Sequence, residues 1–276
     1  MNEKIFFTGA SGFTGKSLVE YFKKKKFEIT TTAFKNIKNP KNKKNIKINL
    51  AKKIYLKKNF DWIIHTAAHH KIKDFENKAS LKAKKNTLMV KNLVDFAKKN
   101  KVKNFIYFST IDINYSPYPS KKNIYIKSKT FCEKILLTAL KRKILKKLII
   151  LRLPAIVGKQ SNDNFIINTL YNLKKNLPIN IWNKNDKYNN LIHINDLSKL
   201  IFYFIYNKNK IKKTIIDCLS SKPIKLEDLI NNLKKKLNSK SKVNYINKKN
   251  KFKRIEFNSK TYYKFFSVKK AINLLI

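Results

Sequence analysis

Glycine is nearly absent from this chain: 276 residues contain 4. Three of them stand three apart in Thr8-Gly9-Ala10-Ser11-Gly12-Phe13-Thr14-Gly15. A chain that avoids glycine keeps it where a side chain does not fit. A short apolar strand, Ile5–Thr8, precedes the run, and a helix is predicted over Lys16–Lys25 after it. In a tight strand-to-helix turn each glycine has a task. Gly9 allows the turn, Gly12 lets backbone approach a pyrophosphate, and Gly15 lets the helix pack closely on the strand. The free N–H groups and positive dipole end of the helix then face the phosphates, with Ser11, Phe13 and Thr14 completing the candidate loop. A glycine turn that holds no ligand has the same spacing. The strand before, the helix after and the scarcity of glycine elsewhere favour the binding reading.

Length allows one large domain, or one domain with a smaller lobe. At 43% hydrophobic the chain can bury a core. No run approaches 18 consecutive apolar residues, so no transmembrane helix is expected. The N-terminal apolar run is read as the nucleotide-binding strand and not as a secretory signal. Cys132 and Cys218 make neither a disulfide framework nor a metal-ligand spacing, so a reduced, cytoplasmic protein is expected. The net charge of +48 invites a nucleic-acid or anionic-membrane reading. Yet of 64 basic residues only Arg142, Arg152 and Arg254 are arginine. Abundant Lys, Asn and Ile together look like the imprint of an A/T-rich coding genome, and base-reading proteins lean on arginine forks. Non-specific attraction of polyanions at low salt follows; a specific nucleic-acid partner does not.

The β-branched run Glu28–Phe34 is read as a second strand. A unit that binds NAD usually ends this strand with an acid for the ribose hydroxyls. Here the chain reads Phe34-Lys35-Asn36, and Lys35 would suit a 2′-phosphate, which favours NADP over NAD. Residues 36–47 read as a polar loop and Ile46–Ile48 as a third strand. Asp61–His65 suits a buried parallel strand, and the small Thr66, Ala67 and Ala68 would let a cofactor pass. Helical spacing follows from Leu81 to Lys101, then a strand Asn104–Ser109, a helix Tyr125–Lys141 and a strand Leu148–Leu153. This alternation predicts an α/β fold, a Rossmann-type doubly wound parallel sheet. The last third predicts helices at Asn164–Leu173, Asn195–Tyr206 and Leu226–Leu237, the last with a capping start near Ser221. Strands are expected at Ile179–Trp182, Asn190–His193, Thr214–Asp217 and Val243–Ile246. Residues 1–160, completed by about 195–220, would form the dinucleotide domain, and 161–194 with 221–276 a small C-terminal α+β substrate lobe. Ligands of such folds lie at the carboxyl ends of the strands, here between sheet and lobe.

Tyr125 and Lys129, four apart on a predicted helix, share one face. An ammonium beside a phenol favours phenolate, and a tyrosine so tuned can exchange a proton with an alcohol or carbonyl while hydride moves. Thr110, closing the strand Asn104–Ser109, would hydrogen-bond the same oxygen. With 13 tyrosines and so many lysines, this pair alone has little weight. Its order after the glycine loop and the Ser109-Thr110 strand end carries the inference.

With those residues in place, the chain resembles an extended short-chain dehydrogenase/reductase of the NAD-dependent epimerase/dehydratase family. The resemblance rests on Thr8–Gly15, Asp61–Ala68, Asn86, Val102–Thr110, Tyr125 with Lys129, Leu151–Pro154 with Gly158, and Asn190–Leu197. It implies Thr110, Tyr125 and Lys129 as the catalytic set and the three glycines as the dinucleotide site. It further implies a nucleotide-sugar-like substrate and a possible homodimer through helices such as Leu81–Lys101 and Tyr125–Lys141. Departures narrow the subclass. Family dehydratases carry Asp-Glu directly after the threonine, where this chain has Ile111-Asp112. Many family epimerases carry Asn three residues after the arginine, where this chain has Ala155. The short loop Asp112–Asn123 and the small chain point to a smaller or unusual pocket. A Rossmann-type sensor or scaffold that binds NADP without turnover is the alternative.

Other residues carry plainer readings. His65, His69 and His70 have no carboxylate or cysteine cluster to complete a metal site, and no metal is expected. Arg152 suits either a substrate phosphate or a structural ion pair. Asp196 is expected to hold or cap the helix it begins. Trp62 and Trp182 are expected to pack in core or lobe.

Overall fold

The computed structural model describes residues 3–33, 45–69, 79–114, 123–207, 214–247 and 263–276. The first half alternates strand and helix: β1 (Lys4–Thr8), α1 (Phe13–Lys24), β2 (Glu28–Ala33), β3 (Asn45–Lys47), β4 (Trp62–His65), α2 (Ala79–Lys99), β5 (Asn104–Thr110), a 3-10 turn Ile111–Asn114, α3 (Asn123–Lys141) and β6 (Lys147–Leu153). The second half adds β7 (Ala155–Val157), α4 (Phe165–Lys174), β8 (Ile179–Trp182), β9 (Lys187–Tyr188), β10 (Leu191–His193), α5 (Ile194–Tyr206), β11 (Ile215–Asp217), β12 (Ile224–Lys225), α6 (Leu226–Lys236), β13 (Val243–Ile246) and α7 (Val268–Asn273).

Seven strands form one sheet in the order β11-β6-β5-β4-β1-β2-β3, and every pairing in it is parallel. Such a sheet must be covered on both faces, and the sequence supplies two apolar faces by simple alternation. Ile5 and Phe7 of β1 turn toward Leu18 and Phe22 of α1 and Leu197 and Ile201 of α5. Phe6, between them, turns toward Val90 and Leu93 of α2 and Leu136 of α3. The predicted doubly wound α/β fold is therefore the fold found. The order reverses between β1 and β4, so the carboxyl ends of those two strands open a crevice.

A third apolar cluster joins Ile166 and Leu170 of α4, Leu229 and Leu233 of α6, and Val268 and Ile272 of α7. Around it lie the parallel pair β8–β13 and the antiparallel pair β9–β12, while β7 pairs with β10 in parallel.

Four local expectations are corrected. Helix α1 starts at Phe13 with Gly12 as its N-cap, three residues earlier than periodicity suggests, because the glycine turn is itself the helix start. Ser221 does not cap α6: its hydroxyl donates to the Phe265 carbonyl at 2.8 Å, and the N-cap, Lys225, gives no side-chain bond. Asp196 does not cap α5. That role falls to His193, whose ring Nδ1 accepts from the Asn195 N–H at 3.1 Å. Fully buried Asp196 instead accepts from the Tyr263 hydroxyl at 2.8 Å and the Phe266 N–H at 2.7 Å, tying the C-terminal segment to α5. Trp62 is core, but Trp182 is 50% exposed on the alternating strand β8.

Candidate active site

At the turn after β1, Gly9 has φ +83, a backbone region that side chains rarely enter. A Cβ there would lie 2.6 Å from the Ala67 nitrogen. A Cβ on Gly15 would strike the Gly9 carbonyl oxygen. The helix thus sits directly on the turn, which is why α1 can start three residues after it. Gly12 differs. Its φ of −78 suits any residue, and the nearest atom to an added Cβ is the Gly9 oxygen at 3.8 Å. Nothing in the protein itself excludes a side chain at position 12; the space outside it is open. The fourth glycine makes room for Phe13, whose ring would stand 2.8 Å from a Cβ on Gly158.

The end of β4 supplies the second wall. Thr66 donates its hydroxyl to the Thr8 carbonyl at 2.8 Å, which holds the small run Thr66–Ala68 beside the glycine turn. Asn86 of α2, 2% exposed, fixes the next residue by accepting from the His69 N–H at 2.9 Å and donating to its carbonyl at 3.1 Å. His65 is buried with its ring Nδ1 2.7 Å from the Thr8 hydroxyl. Burial first, and the Lys129 charge second, lower its pKa to about 3, so the ring is neutral. Among the described residues no group of three or more His, Cys, Asp or Glu side chains could hold a metal.

Tyr125 lies in the first turn of α3 and Lys129 one turn on. The Lys129 ammonium donates to the Phe108 carbonyl at 2.7 Å, stands 4.8 Å from the Tyr107 ring centroid and lies 5.9 Å from that of Tyr125. Burial lowers its pKa to about 8, while nearby Cys132 and Glu133 act in the opposite direction. The Tyr125 phenol is held well above its usual range, by burial first and then by Asp112 and Cys132. In the protein by itself, burial is the largest influence on this phenol and favours its protonated form.

One cavity of about 580 Å³ joins these parts. Thr110, Tyr125 and Lys129 line it with Phe13, Thr14, Thr66 and Ala68. Ser11 and Gly12 are exposed at the start of α1, outside the lining, and Gly9, Gly15 and Ala67 shape the wall from behind. Lys35 and His70 lie outside the described residues. Arg152 does not line the cavity; it forks onto Glu133 at 3.1 and 2.7 Å, which makes it an ion pair within the fold. Sequence reasoning missed the far wall, where Phe165 and Tyr188 face each other at 5.3 Å beside Asp163 and Asn190. The Asn190 Oδ1 is buried with no hydrogen-bond partner among the described residues, as is the Ser109 hydroxyl. No spacing in the sequence links these residues, which come from the start of α4, from β9 and from the segments beside them.

The site fits a nicotinamide dinucleotide. The helix start is bare of side chain where a pyrophosphate would lie, the turn beside β4 is kept small, and Ser109 offers an unused hydroxyl. Fold and site together define a Rossmann-type dinucleotide-binding protein in which Thr110, Tyr125 and Lys129 line one cavity. The family model described as "NAD dependent epimerase/dehydratase family" matches residues 5–217, and the chain belongs to that family. Solved structures of the same fold include the UDP-N-acetylglucosamine 4-epimerase from Bacillus cereus, 19% identical over 89% of this chain and 86% of that one, with a TM-score of 0.69. The NADP-bound GDP-mannoheptose C4 reductase from Campylobacter jejuni is 15% identical over 99% and 97% of the two chains, with a TM-score of 0.76. The Thermus thermophilus UDP-glucose 4-epimerase in complex with NAD is 14% identical over 98% and 92%, with a TM-score of 0.67. No curated protein sequence matches the chain significantly.

Proposed function

We propose that the chain is an NAD(P)-dependent oxidoreductase or epimerase that acts at a carbinol or keto carbon of a nucleotide-linked sugar. The observation that carries this reading is the meeting of Thr110, Tyr125 and Lys129 with the start of α1 in one cavity. The dinucleotide, when bound, supplies the acceptance or donation of hydride. Tyr125 is the acid–base group: its hydroxyl gives a proton to, or takes one from, the reacting oxygen. Thr110 orients that oxygen from the end of β5. Lys129 holds the nicotinamide ribose, and a cationic ring beside Tyr125 would oppose the desolvation that keeps the phenol protonated. Gly9, Ser11, Gly12, Phe13, Thr14 and Gly15 would carry the pyrophosphate, and Thr66, Ala67 and Ala68 the path between the two ends.

Further parts of this reading are finer. Lys35 favours NADP over NAD. Residues 1–160, completed by about 195–220, bind the dinucleotide, and 161–194 with 221–276 form the substrate lobe; the separate apolar cluster of α4, α6 and α7 supports that division. Exposed Leu81 on α2 and Ile124, Phe131 and Leu137 on α3 support a homodimer. Two buried free cysteines support a reducing, cytoplasmic setting. Among the described residues no helix is long and apolar enough to cross a membrane.

The test combines the purified protein, NAD(H) and NADP(H), and a panel of UDP-, GDP- and dTDP-linked sugars with their 4-keto forms. Wild type is expected to turn over at least one, with NADP(H) preferred. Tyr125→Phe is expected to lose on the order of 10²–10⁴-fold in turnover while still binding NADPH. Full turnover by a folded Tyr125→Phe protein would overturn the mechanism. Dinucleotide that co-purifies tightly marks an epimerase, which must retain it through both hydride steps; a reductase releases it each cycle. NADP binding without hydride exchange to any sugar would instead favour a sensor.

A further inference from the structure

Behind the cavity, outside its lining, one guanidinium joins the helix that carries Tyr125 and Lys129 to the 3-10 turn that follows Thr110. Arg152 stands on β6, paired in register with Ser109, the residue before Thr110. Its Nε and Nη2 donate to the two carboxylate oxygens of Glu133 at 3.1 and 2.7 Å. Its Nη1 donates to Asn114 Oδ1 at 2.7 Å. Glu133 lies one turn beyond Lys129 on α3 and is 3% exposed. Asn114 ends the 3-10 turn that begins directly after Thr110.

We propose that Arg152, Glu133 and Asn114 form a positioning clamp that holds Lys129 and Tyr125 against Thr110. The proposal rests on the reading of those three as the reacting set. Residue choice supports it. This chain uses lysine for nearly every basic position, and only three arginines are present. A lysine ammonium is a point charge, whereas an arginine fork can hold a carboxylate with two parallel donors and keep a third for another element. A buried carboxylate without such a partner would protonate. Arg152 therefore fixes the Glu133 carboxyl group in place through two donors, and Glu133, beside Lys129, favours the ammonium where burial works against it. The other groups around Lys129 are Tyr107 of β5, His65 of β4, and Tyr125 and Cys132 of α3. Of these, neutral His65 and protonated Tyr125 bring no negative charge to it, and burial raises the Tyr107 and Cys132 pKa values above their ordinary range. Glu133 is the carboxyl group among its neighbours, and it acts to hold the ammonium.

The clamp is tested in the full chain, without cofactor or substrate, by following lysine Nζ titration by NMR. The Lys129 signal is the one that titrates near pH 8, apart from the exposed lysines, and that Lys129→Met removes. Glu133→Gln is expected to move its midpoint down by about one pH unit. Arg152→Leu, which removes the fork that holds the Glu133 carboxyl group beside Lys129, is expected to move it the same way, and the double variant no further than either alone. Glu133→Asp, which keeps the charge, is expected to restore a midpoint near 8, and serves if Glu133→Gln does not fold. Near-ultraviolet circular dichroism reports the fold of each. A midpoint unmoved in folded Glu133→Gln, or as low in Glu133→Asp as in Glu133→Gln, overturns the proposal. Either result leaves the sugar-nucleotide assay above untouched, so failure here and failure of the proposed function are told apart.

Discussion

The three clustered glycines should separate cleanly into those the fold requires and the one the ligand requires. At position 12 the backbone already suits alanine, and the nearest atom to a new Cβ is 3.8 Å away. Gly12→Ala gains about 0.4–1 kcal/mol from a stiffer unfolded chain and loses a similar amount because alanine is a poor N-cap. The thermal midpoint should therefore move by no more than about 2 °C. Gly15→Ala drives its Cβ onto the Gly9 carbonyl and within 2.8 Å of Ala10 Cα, both backbone atoms that cannot swing aside. Overpacking of this kind costs roughly 1–3 kcal/mol, a fall of about 2–12 °C for a chain of this size. Dinucleotide affinity should respond in a different order. The methyl of Gly12→Ala occupies the space beside the first N–H groups of α1. Losing one charge-assisted phosphate contact, at about 1.5–3 kcal/mol, weakens NADPH binding roughly 10- to 150-fold. Differential scanning fluorimetry gives the midpoints, and NADPH fluorescence titration gives the affinities. Ionic strength must be held fixed, because a chain of net charge +48 attracts any anion at low salt. Binding by Gly12→Ala within two-fold of wild type would refute the assignment of that open space to a pyrophosphate. A destabilised Gly12→Ala protein would refute the packing side of the reasoning.

Two further predictions concern buried polar groups. His65 has a folded pKa of about 3 against an ordinary 6.5, so its neutral form is the folded one; stability from this site is present above pH 6.5 and is lost as pH falls toward 3. Thermal midpoints measured across that window should fall for wild type and fall less steeply for His65→Asn, and equal acid limbs would count against the assignment. Asp196→Ala removes the acceptor of the Tyr263 hydroxyl and the Phe266 N–H; at about 1.5–3 kcal/mol for each bond to a charged group, the loss should be roughly 3–6 kcal/mol. Hydrogen exchange should quicken at Phe266 and through α7, and unchanged exchange there would show that the segment is held by its apolar contacts alone.

The parts of this fold legible in the sequence are those whose cause is local. The continuous apolar run in Asp61–His65 marked a buried parallel strand, and the order of the elements pointed to Thr110, Tyr125 and Lys129. What the sequence hid depends on distant partners. Helical spacing placed Asp196 at a helix start, and a cap is the usual role there. Only the return of the chain at Tyr263 and Phe266 shows that its carboxylate serves another segment. Trp182 looked like packing material because large apolar residues usually are, yet strand alternation alone turns it outward. The setting of Tyr125 was hidden for a different reason. Proximity along a helix is visible in a sequence, but desolvation is a property of the closed site, and here it is the first influence on the phenol. The far wall with Phe165 of α4 and Tyr188 of β9 arises from segments that no spacing connects.

Residue economy explains why so biased a composition still carries a specific site. Lysine is placed wherever a solvated charge is tolerated, and one exposed lysine can stand for another; surface pairs such as Lys58 with Glu28 at 3.5 Å add little. The bias stops where geometry admits a single residue type. Gly9 and Gly15 stay because a Cβ would meet backbone, and Arg152 stays because three donors must reach two acceptor residues at fixed angles. Within the cavity the same boundary holds: Lys129 is the one basic residue among the described lining, set against Asp112 and Asp163, in a chain whose basic residues outnumber its acids 64 to 16. A drift in composition acts on positions that are free to vary. Among the described residues, Gly9 and Gly15 are such positions at the carboxyl end of β1, and Arg152 is one on β6, beside the end of β5.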